Sequence, residues 1–239
     1  MEEFLKLTIP YEIDPQGGIF AILGTITHGS MEEQANKLEL PAEIALSEDR
    51  NVFDLLEPGD DGSWILTDYK TWGSFRVAKA LGMQKTRRVP DSSGEVYKKS
   101  GPWGGAGSPK MVDVWERTGI PDLWETEMQL NNYRVMLDDM GIIICRMQLQ
   151  IFVRDGGTSS ADSRGVTQNF IPLIPIRPID DEEVRGYFDN KEADLYQALE
   201  QEFWAIPCDD RESWSGTKCR DYCRVWQGCP KGRLLKGAS

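Results

Sequence analysis

Apolar positions along this chain change their period several times, and each change predicts an element. Residues 1–27 predict a short strand or arm that ends at Gly24-Thr25-Ile26-Thr27. From near His28, the residues Met31, Ala35 and Leu38 recur at helical spacing. Between Ile44 and Thr67, two apolar runs, Asn51-Val52-Phe53-Asp54 and Ser63-Trp64-Ile65-Leu66-Thr67, flank the turn Glu57-Pro58-Gly59-Asp60-Asp61-Gly62. Two such runs joined by a Gly/Asp turn predict a hairpin. Residues 74–81 predict a short helix closed by Gly82, and residues 90–109, rich in Gly, Ser and Pro, predict a mobile loop. A helix is predicted over 121–139, with Leu123, Met128, Leu130, Tyr133 and Leu137 mostly on one side and Gly141 as its stop. Residues 142–153 are a buried apolar run that turns into alternation, the clearest strand in the chain. Residues 180–204 predict an acidic amphipathic helix, and beyond Pro207 the chain turns polar and rich in Cys and Gly. No internal repeat is visible.

The 239 residues suffice for one sizeable core with an appendage, which places a core at 1–205 and a Cys-rich segment at 206–239. No apolar run approaches the roughly 20 residues of a membrane helix. The acidic start Met1-Glu2-Glu3 lacks an export signal, so a cytoplasmic protein without a membrane partner is expected. A net charge of −12 argues against a protein that simply coats nucleic acid, but the charge is uneven. Residues 70–110 hold nine basic residues against Asp91 and Glu95, and residues 217–239 hold six against Asp221. An acidic body with basic stripes suits a polyanion guided to one place, and the alternative is a solvated face.

The candidate chemistry begins in the hairpin. Its geometry brings Asp54 and Asp68 near each other, and Lys70, two residues beyond Asp68 on a strand, shares the face of Asp68. Two carboxylates beside one lysine suit a hard divalent cation and the orientation of water, as metal-dependent phosphodiester cleavage requires. A surface hairpin with ordinary charges is the alternative. His28, the only histidine, would extend the choice of ion from Mg²⁺ to Mn²⁺ if it joined the carboxylates, and Glu43, just before the hairpin, could add another oxygen. Gln129 and Tyr133 stand four apart and share a helix face, where an amide and a phenol could hold a phosphate or base. Four of the five cysteines, Cys208, Cys219, Cys223 and Cys229, fall near the end of the chain. Such a set can bind zinc or an iron–sulfur cluster, or close two disulfides, which a cytosolic location disfavours. Cys145, inside the apolar strand, reads as a core residue.

Taken in order, Gly24-Thr-Ile-Thr-His28, Glu43, Asn51-Val-Phe-Asp54, Ile65-Leu-Thr-Asp68-Tyr-Lys70-Thr71, Gln129-Leu-Asn-Asn-Tyr133 and Cys219-x3-Cys223-x5-Cys229-Pro230 resemble the RecB-type nucleases of the PD-(D/E)XK superfamily. The branch resembled carries a C-terminal iron–sulfur cluster and includes CRISPR-associated adaptation exonucleases and phage and recombination nucleases. The resemblance implies an α/β fold, a mixed central sheet flanked by helices, with the Cys-rich tail pinned to the core by its cluster. It implies His28, Asp54, Asp68 and the Tyr69 carbonyl as ligands of Mn²⁺ or Mg²⁺, and Lys70 as the catalytic lysine. Asp54 and Asp68 thereby count among the catalytic residues, with Gln129 and Tyr133 on the substrate side. It implies Cys208, Cys219, Cys223 and Cys229 as ligands of a [4Fe–4S] cluster, with Zn²⁺ as the alternative. The activity implied is a DNA exonuclease acting on ends or single strands, with a helicase, recombinase or integrase subunit as a possible partner. A non-catalytic DNA-binding or adaptor subunit is the competing reading. Two departures stand out: Asn51 occupies the usual glycine position before the first Asp, and no cysteine precedes His28.

Overall fold

The computed structural model describes residues 1–13, 15, 18–48, 51–166 and 170–237, so residues 49–50 of the predicted hairpin lie outside the described residues. In chain order the elements are α1 (Glu2–Thr8), α2 (Gly18–Lys37), β1 (Ala42–Ala45), β2 (Val52–Pro58), β3 (Trp64–Trp72), α3 (Ser74–Ala80), β4 (Met83–Pro90), β5 (Met111–Arg117), α4 (Trp124–Asp139), β6 (Ile144–Val153), α5 (Ser159–Ser163), β7 (Phe170–Ile176), α6 (Asp181–Gln201), α7 (Thr217–Asp221) and α8 (Pro230–Lys236). They fall into two compact units, Leu23–Ile179 and a second formed by Met1–Ile22 with Asp180–Ser239. Compactness thus groups the Cys-rich segment with α6 and the first 22 residues, where cysteine content alone suggested a boundary at 205.

The unit Leu23–Ile179 is α/β. Its sheet runs β1-β2-β3-β6-β7, with β3 and β6 parallel and the other neighbours antiparallel. A parallel pair needs a long crossover, and the segment from α3 to α4 supplies it. Side chains alternate across β3 and β6 as the pleat demands. Leu66, Leu149 and Ile151 join Leu130, Tyr133 and Leu137 of α4 in the main core. Tyr69 and Phe152 instead meet Met31 and Ala35 of α2. The sheet therefore carries α4 on one face and α2 on the other. Full burial of Leu66, Leu149 and Ile151 contributes roughly 1.5–3 kcal/mol each.

Three elements differ from the sequence expectation, each for a physical reason. The start of the chain holds helices rather than a strand or arm, and α2 begins at Gly18, well before His28. Its first half is apolar on every side (Ile19, Phe20, Ile22, Leu23, Ile26), so no helical stripe shows there. The expected loop over 90–109 joins two strands that the sequence pattern does not show, β4 and β5, which form a second sheet; between them the described residues make only isolated bridges, Val96 with Pro109 and Gly101 with Gly104. β4 is mostly exposed and polar, and β5 is half-buried to exposed with no buried position, so neither carries a core-facing alternation to read. Pro172 and Pro175 disguise β7, which tolerates them because it lies at the sheet edge.

The other unit is built from α1, α6, α7 and α8. Phe4 and Leu5 pack against Ala198, Val225 and Cys229, and Lys218 pairs with Glu2 at 2.6 Å. The Asp180 side chain caps α6 by accepting from the amides of Glu182 and Glu183. All five cysteines are free thiols, so no disulfide closes the tail.

Asp155 anchors the turn that leads away from β3. Its carboxylate accepts from the Ser74 amide at 2.5 Å and from Ser74 Oγ at 2.7 Å, and Arg164 donates to the same hydroxyl. Burial works to raise the Asp155 carboxyl, but the Ser74 hydrogen bonds outweigh it and leave it below the usual carboxylate range. A lowered native pKa means stability that is present above the unfolded pKa and lost as pH falls through the native one. Asp155→Ala is expected to cost about 1 kcal/mol in urea unfolding near neutral pH. The difference should stay constant down to about pH 5 and shrink below about pH 4. A difference that holds undiminished to the lowest pH at which both proteins fold would contradict the role of the ionised carboxylate.

Candidate metal centre

The centre forms where the antiparallel ladder between β2 and β3 stops. The last pair at that end is Leu55 with Thr67, which leaves Asp54 and Asp68 just beyond it. Freed from the ladder, the Tyr69 amide donates to Asp54 Oδ2 at 2.6 Å. On the other side of β2, the pairing of Ala42 with Leu55 and of Ile44 with Phe53 sets Glu43 across from Asp54. Glu43 holds a left-handed backbone conformation, φ +50°, inside a strand. A non-glycine residue there costs about 1 kcal/mol or more, and such strain concentrates at functional sites.

His28 reaches this corner from α2. Its Nδ1 lies 3.2 Å from Glu43 Oε1 and 3.4 Å from Asp54 Oδ1, and its Nε2 lies 3.1 Å from the Tyr69 carbonyl. The hydrogen bond to Asp54 and the charges of both carboxylates outweigh partial burial and push the imidazole up to about 9. Protonated His28 then donates to carboxylates on one side and a carbonyl on the other. Burial raises the Glu43 carboxyl too, and nearby Asp54 adds to it.

Among the described residues, His28, Glu43 and Asp54 are the one group of three such side chains whose ligand atoms lie within 4.8 Å of one another. With the Tyr69 carbonyl they present one imidazole nitrogen and a majority of hard oxygens. That donor set fits Mn²⁺ or Mg²⁺.

Asp68 and Lys70 lie beside this group, on the α4 face of β3. Asp68 is buried at 2% exposure, and Lys70 Nζ stands 2.7 Å from its Oδ2. The contact is a close ion pair, and among the described residues Oδ2 has no further hydrogen-bond partner. Burial raises the Asp68 carboxyl; the Lys70 charge works against the rise and Asp54 works with it. For Lys70 burial favours the neutral amine, but the Asp68 carboxylate prevails and the ammonium is held charged. Lys70 Nζ also donates to Gln129 Oε1 at 3.1 Å, and Gln129 Nε2 donates to Tyr133 Oη at 3.0 Å. A continuous polar line Asp68–Lys70–Gln129–Tyr133 thus joins β3 to α4.

The structure therefore brings His28, Glu43, Asp54 and the Tyr69 carbonyl together, with Asp68, Lys70, Gln129 and Tyr133 alongside. Asp68 is not within the 4.8 Å group. Sequence reasoning missed the polar trio behind the site: buried Gln148 donates to buried Thr67 at 2.9 Å, and Thr67 donates to half-buried Glu57 at 2.9 Å. Gln148 shares the polar positions of β6 with Arg146 and Gln150, so its burial left no mark in the sequence.

The cysteines follow a different geometry. Cys219 and Cys229 are buried and Cys208 and Cys223 half-buried, all in the unit built on α6. Burial pushes the thiols of Cys219 and Cys223 up, with neighbouring cysteines adding to the rise. Lys231 Nζ donates to the Cys208 carbonyl at 2.7 Å and ties that segment to α8. No three of the sulfurs lie within 4.8 Å of one another among the described residues. Cys145 is exposed at the edge of the core rather than buried in it, its Sγ 3.3 Å from the Trp64 carbonyl.

Glu43→Gly separates strain from function. Removing the side chain relieves a left-handed residue and is expected to raise stability by about 0.5–1 kcal/mol in urea unfolding. The same change should abolish most of the rise in Tm that saturating Mn²⁺ gives the unaltered protein, a rise worth about 2.7 kcal/mol at a hundredfold excess over Kd. A variant that is stabilised yet keeps its full Mn²⁺ response would remove Glu43 from the ligand set.

Comparison of the chain with models of known families, with curated proteins and with solved structures gives no match. The reading of this centre accordingly rests on its geometry and on the sequence motifs.

Proposed function

We propose that the protein is a metal-dependent DNA exonuclease of the RecB-type PD-(D/E)XK class, hydrolysing phosphodiester bonds at ends or in single strands. The observation that supports this most is the meeting of two sets in one corner. One is the ligand group of His28, Glu43, Asp54 and Tyr69 O; the other is the buried Asp68–Lys70 pair, linked to Gln129 and Tyr133. A scaffold has no chemical need for these eight residues from α2, β1, β2, β3 and α4 to converge.

A divalent ion bound there supplies Lewis acidity toward a phosphoryl oxygen and toward the attacking water. The chain's own residues do the rest. Lys70, kept charged by Asp68, places a cation where negative charge grows on the phosphoryl group. Asp68 in turn offers an oxygen with a free lone pair, so it can orient a water or turn toward the ion. Gln129 fixes the Lys70 ammonium against α4, and Tyr133, at the end of the line, presents a hydroxyl to the substrate side. Burial of Tyr133 holds its phenol protonated, so it serves as a donor.

We extend the proposal to the tail: Cys208, Cys219, Cys223 and Cys229 would hold a [4Fe–4S] cluster. Four thiolates around a four-iron cluster stand farther apart than around one zinc, where bonds of about 2.3 Å draw them together. Iron and sulfide content of anaerobically purified protein decides between them: four irons support the cluster, and one zinc with no iron removes it.

The enzyme reading is tested with end-labelled DNA and Mn²⁺. Asp68→Asn and Lys70→Met are each expected to lower cleavage at least about a hundredfold, the effect of losing one charge-stabilising group. Lys70→Met leaves Asp68 buried without its cation, so activity is measured on protein shown to be folded. EDTA should abolish turnover in the unaltered protein. Full turnover in EDTA, or in either variant, is the result that defeats the proposal.

A further inference from the structure

The β4-β5 sheet has no part in the centre described above, and its far end is built in an unusual way. Beyond the regular pairs the hairpin continues through hydrogen bonds between Asp91 and Lys110, Lys110 and Glu95, and Tyr97 and Ser108. It closes where Gly101 and Gly104 exchange two backbone hydrogen bonds of 3.0 and 3.2 Å. Pro102 and Trp103 are the two residues of that closing turn. Trp103 is 74% exposed, while the base of the hairpin is anchored by Met83 and Trp115 against the main core.

The charge of this arm is not what the sequence window suggests. Lys85 and Arg88 pair with Asp113, Arg87 approaches Glu116, and Lys110 pairs with Glu95. Asp113 and Glu116 lie on β5, outside the basic stretch counted along the chain, and they offset the middle of the arm. Lys98 and Lys99 have no ion-pair partner among the described residues, and residues 97–108 contain no acidic side chain. Tyr97, Lys98, Lys99 and the Glu95–Lys110 ion pair line an open groove of about 840 Å³ at this end, which leaves Lys98 and Lys99 as its uncompensated charges.

The glycines of the tip add an independent observation. At Gly101 and Gly105 an added Cβ would meet nothing, and neither has a positive φ. Neither conformation nor internal packing requires glycine at these two places. A bare backbone beside an exposed indole leaves room for something flat to come close. Gly104 differs: a Cβ there would meet the Tyr97 ring at 2.6 Å, so Tyr97 braces the turn that carries Trp103.

We infer that this arm is a single-strand binding device: Trp103 stacks on an unpaired base while Lys98 and Lys99 contact the adjoining phosphates. An isolated aromatic face with flanking cations is the combination that holds single strands without reading sequence. A membrane is a poorer occupant, because Trp103 and Pro102 stand among Gly, Ser and Ala, and one indole with two lysines gives little apolar insertion. The inference extends the nuclease reading by naming what engages the strand away from the centre, but it rests on separate residues.

The test measures binding of a fluorescent oligothymidylate to the full chain in EDTA, where no metal-dependent cutting occurs. Trp103→Ala is expected to weaken binding about tenfold, within the range for loss of one base stack, and Trp103→Phe to stay within about threefold of the unaltered protein. Lys98→Ala with Lys99→Ala should reduce the slope of log K against log salt by about 1.4, two phosphates on a single strand. Equal affinity of Trp103→Ala and the unaltered protein overturns the inference, as does binding to anionic vesicles with none to the oligonucleotide. Cleavage with Mn²⁺ is measured on the same preparations. Cutting with no dependence of binding on Trp103 sinks the arm and leaves the nuclease reading; Trp103-dependent binding without cutting does the reverse.

Discussion

A carboxylate buried at 2% exposure is costly, and Asp68 sits that way in the middle of β3. It is sustained by one neighbour, the Lys70 ammonium 2.7 Å from its Oδ2. Much of the unit follows from keeping that pair in place. The two residues must share a face, so the segment must be a strand. The ammonium needs a second acceptor on the opposite layer, which Gln129 on α4 provides. The parallel pairing of Asp68 with Leu149 and of Lys70 with Ile151 walls the pair off with apolar side chains. Removing one charge of such a pair leaves the other stranded, so the pair and its walls stand or fall together.

Strain and interrupted pairing sit on the other side of the same corner. The β2–β3 ladder ends one residue short of the two aspartates, and the amide so released goes to Asp54 rather than to a strand. Glu43, which the register sets across from Asp54, also holds a left-handed backbone. The sheet gives up regular hydrogen bonding at the point where the four ligand groups gather, and the His28 imidazolium offsets part of the charge of Glu43 and Asp54. Regular pairing elsewhere, and the apolar faces of α2 and α4, hold this irregular corner.

Much of the site was legible because its central pieces are local. Asp54, Asp68 and Lys70 lie on one hairpin, where turn chemistry and a period of two suffice. His28 and Gln129 reach the strand from 41 and 59 residues away, through contacts that no local pattern encodes. His28 stands out as the only histidine and Gln129 by its spacing to Tyr133, but only the order of motifs joins them to the hairpin. The positive φ of Glu43 left no mark, since nothing in Leu40-Pro41-Ala42-Glu43 demands it. Strands β4 and β5 were illegible because both faces are largely wet, and β7 because its prolines mimic a loop. The basic stretch of residues 70–110 misled in a specific way: the carboxylates that offset Lys85, Arg87 and Arg88 come from β5, across the hairpin rather than along it.

The central claim is that His28 and its carboxylate neighbours hold a divalent ion, and the chain offers a direct probe because His28 is its only histidine. Pulsed electron paramagnetic resonance of the Mn²⁺-loaded protein detects imidazole nitrogen bound to the ion. The expected spectrum shows coupling to a single imidazole ¹⁴N, absent when His28→Gln is examined under the same conditions. Stoichiometric Mn²⁺ with no imidazole coupling would place the ion elsewhere and contradict the account.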